Sequence, residues 1–213
     1  MSNKVAKNSA TRSTRPAAEQ PSLYAADGSR KYLNLAERRR ALAAADRLRG
    51  DKALFALTLA WTGARVSEVL SLTPSSFQTD FGVVAITTLK RRRHCVREVP
   101  LPPQLIERLE GHFGLSGLQG DPLRNGRPLW PWCRSTGWRL IKSIMSDANI
   151  VGRAACPRGF RHSFGVGALH AQVPLTLLQR WLGHARLSST AIYADASGPE
   201  ERAIADRYWR LGA

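Results

Sequence analysis

Residues 82–102 read GVVAITTLKRRRHCVREVPLP, and this stretch decides the fold class. The run GVVAITTLK (82–90) is rich in β-branched residues and strand-like, and so is CVREVPLP (95–102). Between them stands RRRH (91–94). Two strands joined by so short a segment make a β-hairpin with a strongly basic tip. Everything around the hairpin reads as helix, so the expected class is α+β: mainly helical with one small antiparallel sheet.

Upstream, Asn34 with Glu37 has the spacing of a capping box, and the helix it opens runs through Leu35, Leu42, Ala45 and Leu48. Asp51 is placed to cap a second, apolar helix, KALFALTLAW, which stops near Gly63. A short helix spans Arg65 to Leu70. Downstream of the hairpin, Pro102 and Pro103 start a helix from Gln104 to about His112. The glycine- and proline-rich stretch 114–128 reads as a loop. Further helices are expected over 135–147, through Phe164 to His170, over PLTLLQRWLG (174–183), and from a cap at Ser188 or Ser189. The tail, 199–213, is an amphipathic helix. Residues 1–32, rich in Ser, Thr, Ala, Pro and scattered charge, read as a flexible basic arm.

Lysine and arginine total 32 against 16 acids, a formal charge of +16. Such an excess bears on partners, and double-stranded DNA is the expected polyanion. No apolar run approaches a membrane span, and no apolar core of a signal peptide opens the chain, so the expectation is a cytoplasmic, DNA-associated protein without membrane contact. Cys95, Cys133 and Cys156 are far apart and odd in number, which argues against zinc and for reduced thiols. No metal and no cofactor is expected.

The chemistry gathers in separated pieces. In WTGARVSEVLSL (61–72), Arg65 follows a tight glycine turn and Glu68 can fix its rotamer; an ordinary helix ion pair is the bland alternative. In CPRGFRHSFG (156–165), Arg158 and Arg161 flank a phenylalanine beside a proline turn. Arg65 and Arg161, as two positioned guanidiniums, suit a phosphate, because each binds two oxygens in parallel and stays charged; a basic surface turn is the bland alternative for Arg161. His162 is expected to be structural. In LGHARLSSTAIYAD (182–195), His184 follows a glycine stop and Tyr193 lies nine positions on. A phenol is a poor nucleophile alone, and arginines and a histidine beside it favour the phenolate. Lys90 ends the first hairpin strand, where it can deliver a proton to a leaving oxygen. Arg91, Arg92 and Arg93 read as unspecific phosphate contacts, and Arg134, Arg139 and Lys142, with Trp138, as further DNA contacts.

The order Arg65, Lys90, Arg161, His184, Tyr193 resembles the catalytic domain of the tyrosine recombinases, the phage-integrase family. The matching segments are TGARVSEVLSL, FRHSFG, LGH and STAIYAD, and the resemblance covers roughly residues 35–198. It implies that Tyr193 attacks a DNA phosphodiester to give a 3′-phosphotyrosyl link. Arg65 and Arg161 then clamp the nonbridging oxygens, Lys90 is the general acid, and His184 hydrogen-bonds the phosphate. Rejoining needs neither ATP nor metal. The family prefers His or Lys where this chain has Arg158, which keeps an electrostatic role but exchanges no proton near neutral pH. The family also carries an N-terminal helical core-binding domain, whereas only the arm 1–32 is expected here before a catalytic domain at 33–198. The implied function is site-specific recombination in integration, excision or plasmid and transposon resolution. A homo-oligomer, dimer to tetramer, is implied on DNA, with 199–213 docking on a neighbouring protomer and an accessory protein supplying the absent clamp. Topoisomerase-like relaxation and a DNA-binding regulator that rarely cleaves are the alternatives.

Overall fold

The computed structural model describes residues 22–88, 95–195 and 199–211. Ten α-helices and three strands are ordered along those residues. Helix α1 (Leu35–Arg47) opens on the expected capping box: Asn34 Oδ1 accepts from the Glu37 N–H, and Glu37 accepts from the Asn34 N–H. Helix α2 (Gly50–Thr62) is apolar on all sides and buried from Ala53 to Ala60. A helix of that kind belongs at the centre, and α1, α4, α6 and α7 all pack on it. Its cap is Arg49, not Asp51, which sits in the first turn and meets His112 Nε2 at 2.6 Å. Gly63 ends it in the left-handed conformation, at φ 61°.

Helix α3 (Val66–Leu70) follows at once, then a strand the sequence reading missed, β1 (Phe77–Gln78). The hairpin strands are β2 (Val83–Thr87) and β3 (Val96–Pro100), paired antiparallel with Ala85 opposite Glu98. Their joining tip, residues 89–94, lies outside the described residues. After α4 (Pro103–Phe113), the expected loop contains a short helix, α5 (Leu115–Gln119), seeded by Gly114 in the left-handed conformation and held by buried Leu115. Then come α6 (Arg134–Asp147), α7 (Pro157–His170), α8 (Leu175–Leu182) and α9 (Ser188–Ala191). A 3₁₀ turn, Ile192–Asp195, carries Tyr193, and α10 (Pro199–Leu211) closes the chain against α7.

Two further corrections position the site. Pro157 is the first residue of α7, where its missing N–H is harmless, and Gly159 lies inside the helix. A Cβ on Gly159 would fall 1.8 Å from the Ala154 carbonyl oxygen, so glycine lets the helix start against that turn. The end of the expected arm is not loose either. Tyr24 bridges Arg30 in antiparallel fashion, and Leu23 and Tyr32 are fully buried. This hook, residues 22–32, shares a small apolar cluster with Val166, Leu178, Leu182, Ile192 and Tyr193. The main core gathers around Phe55, Leu59, Val69, Ile86, Trp130, Ile141 and Phe160. Arg38 pins the helices between the two clusters: buried on α1, it donates to Ser163 Oγ at 3.2 Å and to the Ala60 carbonyl at 3.0 Å.

Candidate active site

Arg65 and His184 stand at helix ends, and Arg161 lies one turn inside α7. Arg65 is the N-cap of α3, directly after the Gly63 turn. Its Nη1 donates to Glu68 Oε1 at 2.7 Å, and its own N–H donates to Glu68 Oε2 at 3.0 Å. The Arg65 side chain remains 31% exposed while that of Glu68 is 1% exposed, so the carboxylate anchors and the guanidinium reaches outward. Glu68 Oε2 also receives Arg97 Nη2 at 2.7 Å. Burial alone pushes the Glu68 carboxyl up; the Arg97 charge, the Arg65 N–H and the Arg65 charge outweigh it and hold the group below the usual carboxylate range.

Arg161 lies on the second turn of α7 and is buried. Its Nη1 donates to the Gly63 carbonyl at 2.6 Å and its Nη2 to the Leu182 carbonyl at 2.7 Å. Both acceptors are at helix C-termini, where unpaired carbonyls and the helix dipole favour a cation. These bonds use two of the five N–H donors a guanidinium carries. Burial and then the Arg65 charge push its pKa down to about 10, so it stays charged at neutral pH.

His184 follows Gly183, which is left-handed at φ 66°, and its N–H donates to the Gln179 carbonyl. Its Nδ1 is 2.9 Å from Thr190 Oγ1. Burial first, and then Arg161 and Arg65, push the imidazole down to about 3, so it is neutral. When the Thr190 hydroxyl donates to Nδ1, the ring proton sits on Nε2, free to donate to an oxyanion.

Tyr193 stacks on His184 with ring centroids 6.3 Å apart and planes 7° from parallel. Its hydroxyl is 3.3 Å from His162 Nδ1, and its ring fills the space left by Gly165. The residue is 2% exposed. Burial pushes the phenol up and outweighs the pull of Arg161 and Arg65. The sequence reading expected charge to favour the phenolate; in this conformation desolvation wins, and the neutral histidines add no cation.

The remaining sequence-predicted residues divide. Lys90, Arg91, Arg92 and Arg93 lie outside the described residues. Arg158 is exposed on the first turn of α7, and its charge is felt by His162. His162 itself is pushed down to about 4, by burial and then by Arg161, Arg158 and Lys31. Arg134 and Arg139 are exposed on α6, whereas Lys142 Nζ donates to the Ala155 carbonyl at 2.9 Å. Trp138 is 46% exposed beside Lys142, not core. Sequence reasoning missed Arg97 and Thr190. The signal for Arg97 was its register: β3 alternates exposed and buried, and Arg97 falls on a buried position. Thr190 gave no such signal.

Arg65, Arg97 and Arg161 thus surround a single carboxylate, Glu68, and each of the other two charges is felt at Arg161. The cluster carries an uncompensated positive charge beside a tyrosine hydroxyl and a neutral imidazole. Its chemistry suits an anionic tetrahedral centre whose oxygens take fixed donors.

The model of the phage integrase family matches residues 31–199. Among curated relatives, the tyrosine recombinase XerD of Haemophilus ducreyi is 29% identical over 168 residues, covering 76% of this chain and 55% of that protein. XerD of Vibrio cholerae is 33% identical over 152 residues, covering 67% of this chain and 48% of that protein. The chain therefore spans about half the length of the curated relatives it matches. Among solved structures, the XerA recombinase aligns with a TM-score of 0.68 at 23% identity, over 83% of this chain and 64% of the other. The catalytic domain of bacteriophage HP1 integrase aligns with a TM-score of 0.58 at 23% identity, over 82% of this chain and 93% of the other. Both share the helical arrangement around a small sheet.

Proposed function

The chain belongs to the phage integrase family, and from that premise we propose that it is a site-specific recombinase that cuts and rejoins double-stranded DNA through a phosphotyrosyl link. Tyr193 Oη attacks the phosphorus, the P–O5′ bond breaks, and the 3′-phosphate stays on the tyrosine. The leaving 5′-oxygen takes its proton from Lys90, and the phenol proton leaves to solvent or a neighbouring base. Attack of a 5′-hydroxyl on the phosphotyrosine reverses every step. Arg65 and Arg161 hold the nonbridging oxygens, His184 donates to one of them from Nε2, and Arg158 adds charge at the rim.

The observation that carries this reading is the sharing of Glu68 by two of three clustered guanidiniums beside Tyr193. An ordinary ion-pair network balances its charges; this one leaves cationic donors for a ligand. The docked phenol is the resting arrangement. DNA engagement must draw the 3₁₀ turn out of its apolar cluster before attack. Residues 33–198, with the hook 22–32 packed on them, form the catalytic unit in this reading. A second copy of the chain is the assembly partner in this reading, engaged through the tail 199–213 once α10 leaves its place against α7, and an accessory protein adds grip on DNA.

The test uses the full chain and a pool of randomised duplexes with a nick, so that cleavage releases a short fragment and traps the adduct. Denaturing recovery of protein-linked DNA should yield a defined sequence with wild type and none with Tyr193→Phe. An adduct that survives Tyr193→Phe contradicts the assignment of the nucleophile.

A further inference from the structure

Arg97 is the one cation of the cluster to which the phosphoryl chemistry assigns no task. It is 4% exposed on an inward position of β3, where an ionised side chain is stable only with full pairing. Its three nitrogens reach three different parts of the chain. Nε donates to the Trp181 carbonyl at 2.7 Å, Nη1 to Thr88 Oγ1 at 2.8 Å, and Nη2 to Glu68 Oε2 at 2.7 Å.

Each of those partners leads directly to a residue of the proposed chemistry. The other oxygen of Glu68 holds Arg65. Trp181 precedes Leu182, whose carbonyl holds Arg161, and then the Gly183–His184 corner. Thr88 stands two residues before Lys90, and its N–H donates to the Cys95 carbonyl at 2.8 Å, closing the base of the hairpin tip. The three parts meet tightly: a Cβ on Gly183 would fall 2.9 Å from Thr88 Oγ1 and 3.0 Å from Arg97 Nη1.

We propose that Arg97 is a positioning residue that sets Arg65, the strand ends at Thr88 and Cys95, and the His184 corner in register with one another. The proposal rests on the phosphotyrosyl reading above. A guanidinium is a rigid planar fork, so three acceptors bound to one fork have their relative positions fixed by covalent geometry. A lysine at the same place has three donors too, but they radiate from a single nitrogen and cannot span acceptors set around the edge of a planar fork. Arg97 also divides Glu68 with Arg65. Without it, the carboxylate is left to Arg65 alone and draws that guanidinium away from a phosphate. Small misplacements of this kind reduce the rate of a positioned reaction while leaving binding intact.

The experiment compares wild type, Arg97→Lys and Thr88→Val on the duplex recovered by trapping, with DNA binding, the adduct rate at saturating DNA and thermal unfolding measured for each. Thr88→Val removes one arm of the fork without removing the charge, and keeps the test alive should Arg97→Lys fold poorly. The expected result is binding within about threefold of wild type for both, with the adduct rate down about tenfold for Thr88→Val and about a hundredfold for Arg97→Lys. Wild-type rates in both variants overturn the proposal. So does a parallel loss of binding and rate, which marks a residue that only holds the fold. Failure of the wild type itself to form an adduct instead overturns the phosphotyrosyl reading on which the proposal stands.

Discussion

Gly165 leaves the space that Tyr193 fills, because a Cβ there falls 2.5 Å from the ring. Gly165→Ala is expected to lower unfolding stability by about 1–3 kcal/mol, measured by denaturant titration, since α7 cannot retreat from its packed partners. Unchanged stability would mean the phenol does not dock there. The two histidines beside it govern pH behaviour. Free imidazoles take up a proton near 6.5, whereas His162 and His184 in the fold do so only near 4 and 3. Between those values the unfolded chain binds more protons, so stability is full above about pH 6.5 and declines as the pH falls toward 4. Thermal unfolding at pH 5 should therefore come at a lower temperature than at pH 7.5, and His162→Asn should narrow the gap. Arg158 is exposed, so its contribution is charge at the rim. Arg158→Ala should slow adduct formation and Arg158→Lys should retain most of it; complete loss with lysine would assign the work to the planar fork.

At the scale of elements, the hook over residues 22–32 is the part of the fold most open to test. Leu23 is fully buried in the cluster that holds Tyr193. Leu23→Ala should lower stability by about 2–5 kcal/mol in urea unfolding. A change near zero would detach the hook from the domain. This element was illegible in the sequence because its local signals are those of a loop: Asp27, Gly28 and Ser29 turn the chain, and only tertiary burial of Leu23 and Tyr32 holds it. The helices announced themselves through caps and stops that act locally, as Asn34, Gly63 and Gly183 do. Leu115–Gln119 did not, since Gly117 and Gly120 read as loop residues while burial of Leu115 decides the outcome. The site was legible where a residue type is costly to misplace, as at Arg65 and Arg161. It was not legible where a common residue serves through its partner, as Thr190 does for His184.

For the whole molecule, the formal charge of +16 predicts DNA affinity that falls steeply with salt. Arg139, exposed on α6, is expected to contribute through phosphates alone. Arg139→Gln should reduce the slope of log K against log salt by about 0.9 without changing sequence preference. A change in preference would place Arg139 at a base edge. The phosphotyrosyl reading stands on Tyr193 as the residue that takes the 3′-phosphate beside the arginine cluster, and a peptide map of the trapped adduct tests that assignment. Trypsin should release Leu187–Arg202, which contains Tyr193 as its sole tyrosine. After nuclease digestion, a nucleotide joined through its 3′-phosphate is expected on that peptide and on no other. A nucleotide on a different peptide, or one joined through a 5′-phosphate, would contradict the assignment.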